Sequence, residues 1–89
     1  MKAVISVIGA DKVGILSKVS AICYQNNCNI VDVTQKVLQE YFTMVMIVEI
    51  DECTVSFADL SDQLDALGKE MGLSIRTMHE DIFNSMHRI

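Results

Sequence analysis

The sequence predicts one small α+β sandwich, with four strands and two helices in the order β-α-β-β-α-β and a short helix at the C-terminal end. Three observations point there. Segments with period-two apolar alternation are separated by two stretches whose apolar residues recur at the helical period of 3.6. The 89-residue chain contains no proline and no low-complexity tract that would divide it. Hydrophobic residues make up 51% of it, enough for a core at a length near the lower end for an unaided domain. Each β-α-β half needs a right-handed crossover, so both helices fall on one face of a four-stranded antiparallel sheet, the ferredoxin-like arrangement.

Residues 2–9, KAVISVIG, are apolar on both alternating faces, as in a central strand. Gly9 is read as the point where the chain leaves that strand. Asp11 is placed to cap a first helix, whose stripe is Ile15, Leu16, Val19, Ile22 and Cys23. Asn26 and Asn27 close it, since asparagine tolerates the left-handed conformation. From Asn29 to Gln39 the chain alternates, Val31, Val33 and Val37 against Asp32, Thr34 and Lys36, which predicts an edge strand with one wet face. After a turn near Glu40, YFTMVMIVEI gives a third strand, with Phe42, Met44, Met46, Val48 and Ile50 on one face and Val45 and Ile47 on the other. Phe57, Leu60, Leu64, Leu67 and Met71 mark the second helix, opened by Ser56 with Asp59 and stopped by Gly72. LSIRTMH, residues 73–79, is the fourth strand. The tail of residues 80–89 carries Ile82, Phe83, Met86 and Ile89 on one helical face, with Arg88 near its end, and is expected to pack on the domain of residues 1–79 or on a dimer partner.

The net charge of −5 disfavours direct contact with nucleic acid or an anionic membrane. The acids Asp59, Asp62, Asp65 and Glu70 read as a solvated helix face. Cys23, Cys28 and Cys53 form neither an even disulfide framework nor a C-x-x-C pair, which fits reduced thiols in the cytoplasm. Cys23 and Cys28 are close enough in sequence to meet near the end of the first helix, though the usual role of such a cysteine is that of a small buried hydrophobe. The opening MKAVISVIGA is too short in its apolar run for a signal peptide, and no segment is long and apolar enough to span a bilayer.

Residues 9–31, GADKVGILSKVSAICYQNNCNIV, place Gly9 and Gly14 around the start of the first helix, two of only four glycines. A glycine in the first helical turn lets a ligand approach the free N–H groups, which with the helix dipole seat an anion such as a carboxylate. The competing explanation is that Gly14 permits close packing of helix on sheet.

The pattern of glycine, acid, base, second glycine, aliphatic pair, helix and then Asn-Ile opening a strand resembles the signature of ACT domains, amino-acid-sensing modules of metabolic regulation. The resemblance covers residues 2 to about 79. It is narrowest with small stand-alone ACT proteins related to the ACT halves of the glycine cleavage system transcriptional repressor. Many ACT domains carry proline where this chain has Val13. In that family effectors bind where two domains meet, between the first loop of one and the start of the second strand of the other. The resemblance therefore implies a loop side of Asp11, Gly14, Ile15 and Leu16 and a strand side of Asn29 and Ile30. Asn29 is either an amide donor and acceptor for an amino acid or a turn residue chosen for its backbone.

The expected function is a non-catalytic regulatory domain, a homodimer with an amino-acid effector and no cofactor. The alternative is an interaction module that docks a metabolic or transcriptional regulatory protein without any small ligand. An acylphosphatase-like enzyme would need an arginine in the first loop, yet the only arginines are Arg76 and Arg88. An RNA reader would need exposed aromatics on the central strands, and a metallochaperone C-x-x-C in the first loop. His79 and His87, with Glu80 and Asp81 between them, lack the compact spacing of metal ligands. Apolar Val45 and Ile47 on the open sheet face and the edge strand from Asn29 to Gln39 each suit self-association, face to face or edge to edge.

Overall fold

The computed structural model describes residues 1–86. Its elements are β1 (Lys2–Ala10), α1 (Ile15–Gln25), β2 (Asn29–Leu38), β3 (Tyr41–Glu49), α2 (Phe57–Met71), β4 (Leu73–His79) and α3 (Glu80–Met86). The strands form one antiparallel sheet in the order β2-β3-β1-β4, the ferredoxin-like topology. β1 and β3 are central, while β2 and β4 are its two edges.

The period-two pattern decides which side chains meet the helices. Ala3, Ile5 and Val7 of β1 lie level with Val48, Met46 and Met44 of β3, and all six are buried. Ile15, Val19 and Cys23 of α1 and Leu60, Leu64, Leu67 and Met71 of α2 close over them as one core. Burying such side chains drives folding by roughly 1.5–3 kcal/mol each. α2 begins and ends as its sequence predicts: the Ser56 hydroxyl accepts from the Asp59 N–H at 3.1 Å, and Gly72 closes the helix at φ 70°. The acids of α2 are exposed.

Three local expectations are corrected. Gly9 does not end β1; it sits inside the strand, level with Phe42 and Leu73, and a Cβ there would come within 2.5 Å of Leu73 Cδ2. Close approach, not a turn, requires that glycine. Asp11 does not cap α1, because the N-cap is Gly14, just ahead of the first helical turn. Val31 does not share a face with Val33, because a bulge shifts the β2 register between Ile30 and Asp32. Ile30 and Val33 then lie level with the buried Val48 and Met46, so they face the helices. Cys28 does meet Cys23 at the end of α1, its N–H donating to the Cys23 carbonyl at 2.8 Å, and its sulfur also lies 3.2 Å from that of Cys53.

On the sheet face away from α1 and α2, Ile8, Tyr41 and Val45 are exposed. Val4 points to that face yet is only 2% exposed, and α3 packs against β1 and β4. Ile82 of α3 is 56% exposed, so the tail stripe is not wholly covered within one chain. The expectations for His87, Arg88 and Ile89 and for the Met86 side chain lie outside the described residues. Among the described residues, no helix is long and apolar enough to cross a membrane.

Candidate functional site

The loop between β1 and α1 is tied down at two points. The Asp11 N–H donates to the Glu40 carbonyl at 2.9 Å, pinning the loop to the β2–β3 turn. The Lys12 ammonium donates to the Met71 carbonyl at the C-terminal end of α2, where the helix dipole favours a cation. Between these ties and α1, Gly14 takes φ 91° and ψ 7° as an N-cap, and no side chain caps the helix. A Cβ built there meets no atom within 4 Å. Packing therefore does not demand this glycine; its left-handed backbone does, and that geometry leaves the α1 N-terminus uncovered.

Of the loop-side residues, the Asp11 side chain is exposed, Gly14 is half-buried, Ile15 belongs to the core and Leu16 is 36% exposed. On the strand side, Asn29 is exposed and Ile30 is half-buried against the core. Asn29 is level with Glu49, and Glu49 with Lys2 at the start of β1. The first loop follows Ala10 at the other end of that strand, roughly 27 Å away. Each half of the set is assembled, but a single chain does not bring the two halves together.

Asn29 and Ile30 do line a hollow of about 500 Å³ between α1 and the start of β2, with Ser17, Ser20, Ala21, Tyr24 and Cys28. A second hollow of about 320 Å³, with Glu52 and Asn27 in its wall, shares Tyr24, Cys28 and Asn29. The four α1 residues were missed by sequence reasoning. Their signal was present: positions 17, 20, 21 and 24 are one helical face, carrying small side chains and a tyrosine opposite the apolar stripe.

The turn before Asn29 is rigidly held. Asn26 is buried, and its amide donates to the Ile22 carbonyl at 2.9 Å and to Gln63 Oε1 at 2.7 Å. Asn27 takes the left-handed conformation at φ 60° and donates to the Glu52 carbonyl at 3.0 Å. The position of Asn29 is thus set by α2 and the β3–α2 loop as well as by α1. Burial pushes the Cys23 thiol up to about 11, and burial with the neighbouring Cys53 raises the Cys28 thiol too, so both are neutral near pH 7. His79 Nδ1 lies 3.5 Å from Asp81 Oδ2 and accepts the Asp81 N–H, a local contact. Among the described residues, no three histidines, cysteines or acids cluster in a way that could hold a metal ion.

A four-stranded ferredoxin-like sheet covered on one face by two helices is the architecture of ACT domains, a ligand-binding regulatory fold. The ACT domain family matches residues 2–78, and the chain belongs to it. Along its full length it is 48% identical to a UPF0237 protein of Clostridium acetobutylicum, covering all of both chains. Among solved structures it is similar to an ACT domain protein from Streptococcus pneumoniae, with 40% identity, 93% of each chain covered and a TM-score of 0.81. It also resembles a glycine cleavage system transcriptional repressor, with 25% identity and a TM-score of 0.73 over 85% of this chain and 43% of that one.

Proposed function

We propose that this chain is a non-catalytic ACT-domain regulator of the cytoplasm, binding an amino acid between the first loop of one subunit and the start of β2 of its partner. One observation carries the reading. The Asp11–Glu40 hydrogen bond holds the first loop beside the C-terminal end of β2, whereas Asn29 stands at the N-terminal end of the same strand. Two β2 edges paired antiparallel about a two-fold axis set the C-terminal end of one against the N-terminal end of the other. That pairing brings the loop side to the partner's strand side twice per dimer. β2 is suited to it: from Thr34 to Leu38 every residue is exposed, Val37 and Leu38 by half or more. An effector carboxylate then sits at the α1 N-terminus, and Asn29 offers its amide to the ammonium or carboxylate group.

The test is calorimetry with the twenty amino acids on wild type, Leu16→Glu and Asn29→Ala. Leu16→Glu sets an anion where the carboxylate would lie, without straining a helix that favours acids at its start. Binding to wild type, lost in Leu16→Glu and weaker by about 1–3 kcal/mol in Asn29→Ala, is the expected result. Equal binding by all three refutes the site. If wild type binds none, the reading that remains is the interaction module. It has its own support in the other edge strand: a hollow of about 530 Å³ runs between α2 and β4, with Asp65 and Lys69 on its rim, beside backbone that a partner strand could pair.

A further inference from the structure

We propose that Cys28 and Cys53 form a modification site, a dithiol that a small-molecule disulfide oxidises reversibly to an intramolecular disulfide. Their sulfurs stand 3.2 Å apart although the residues are separated by 25 positions. Closing a bond from there takes about 1.2 Å of approach. Two hydrogen bonds join the segments that carry them: the Thr54 N–H donates to the Asn26 carbonyl at 2.9 Å, and the Asn27 side-chain amide donates to the Glu52 carbonyl at 3.0 Å. The thiols therefore meet across a seam already stitched by hydrogen bonds.

Accessibility assigns the order of events. Cys53 is half-buried in a loop, while Cys28 is 6% exposed and Cys23 is fully buried. The Cys53 thiolate attacks the small disulfide, forming a mixed disulfide and releasing the first thiolate of the reagent. Cys28 then gives its proton to solvent and attacks the Cys53 sulfur, which releases the second. Two protein thiols are oxidised, one reagent disulfide is reduced to two thiols, and no other oxidant is needed. Burial is the main cause that holds the Cys28 thiol up, and capping Cys53 removes a lesser one, the Cys53 charge. Cys23 stays outside the exchange because it is fully buried, and Cys28 rather than Cys23 holds the position 3.2 Å from the Cys53 sulfur.

The product ties the start of β2 to the β3–α2 loop, in the wall that the two hollows beside Asn29 share. The proposal concerns the thiols alone and stands whether or not an amino acid binds. The native protein is titrated with oxidised glutathione, acid-quenched, and analysed by intact mass and by peptide mapping. Wild type and Cys23→Ala should each lose two hydrogens through a Cys28–Cys53 crosslink, which an excess of reduced glutathione reverses. The oxidised form should melt several degrees higher. Cys53→Ser should lose no hydrogens. Three thiols surviving in oxidised wild type, a crosslink that includes Cys23, or a glutathione adduct on Cys53 as the end product would each overturn the proposal, and wild type alone decides between them should a variant fail to fold.

Discussion

Gly14 and Gly68 are the same residue type held in place by different physics, and substitution separates them. A Cβ on Gly68 would lie 2.7 Å from the Leu73 carbonyl oxygen, a backbone atom that cannot rotate away. Gly68→Ala should therefore destabilise by about 1–3 kcal/mol despite alanine's helix propensity. At Gly14 there is open space but φ is 91°, so alanine meets only backbone strain of about 1–2 kcal/mol, and Gly14→Asn should recover part of it because asparagine tolerates that region. Chemical denaturation of the three variants checks both claims; an asparagine no better than alanine at Gly14 contradicts the strain argument. Thr77 poses the opposite case, since among the described residues its hydroxyl oxygen is buried without a hydrogen-bond partner. Thr77→Val should raise stability by about 1 kcal/mol, read from the same denaturation curves. Cys23 adds a pH dependence. Its thiol is raised from 9.0 to about 11 in the fold, so above pH 9 the unfolded chain gives up a proton that the native chain keeps. Stability from this group is full below pH 9 and declines as pH rises towards 11. The decline should flatten in Cys23→Ala; an unchanged slope assigns it elsewhere.

At the scale of elements, α3 shows how a short helix earns its place. Val4 points away from α1 and α2 and is nonetheless buried, with α3 packed on β1 and β4. Removing residues 80–89 should uncover it and lower stability by about 2–3 kcal/mol, measurable as a lower unfolding midpoint; an unchanged midpoint shows the helix to be idle. The elements themselves were legible because period and punctuation agreed: β3 alternates without a break, and α2 has a serine cap, an apolar stripe and a glycine stop. Legibility failed where one residue departs from a period. The bulge after Ile30 leaves no mark in a run that reads NIVDV, since valine suits either face, and only the pairing with β3 reveals it. A long-range contact hid the second neighbour of Cys28. Sequence spacing brings Cys23 near; the pairing of Asn29 with Glu49 across β2 and β3 brings Cys53, 25 positions away, beside it as well. For the candidate site, the loop glycine and the asparagine could be read from the pattern of residues 9–31, while the small face of α1, though visible as a periodicity, became the wall of a hollow only with β2 beside it.

At the scale of the whole molecule, the separation of the loop side from the strand side has a consequence that no monomeric site could imitate. Under the proposed two-fold arrangement each dimer holds two sites, and each site takes its loop from one chain and its Asn29 from the other. A Leu16→Glu homodimer has two damaged loops, and an Asn29→Ala homodimer has two damaged strand sides. Mixed in one dimer, the two variants place both defects in the same site and leave the second site wholly native. Equal amounts of the two proteins, unfolded together and refolded, should pair at random, so about half the dimers are mixed and about one quarter of the wild-type sites return. Calorimetry then reports restored stoichiometry at native affinity from two proteins that bind poorly alone. Combining Val37→Lys with Leu38→Lys, at two exposed positions of the β2 edge, should abolish that recovery by keeping the chains apart, with sedimentation showing monomers of unchanged circular dichroism. Dimers that persist in this double variant would move the interface to the open sheet face of Ile8, Tyr41 and Val45, and a refolded mixture that never regains native-affinity sites would show that loop and strand do not serve one ligand.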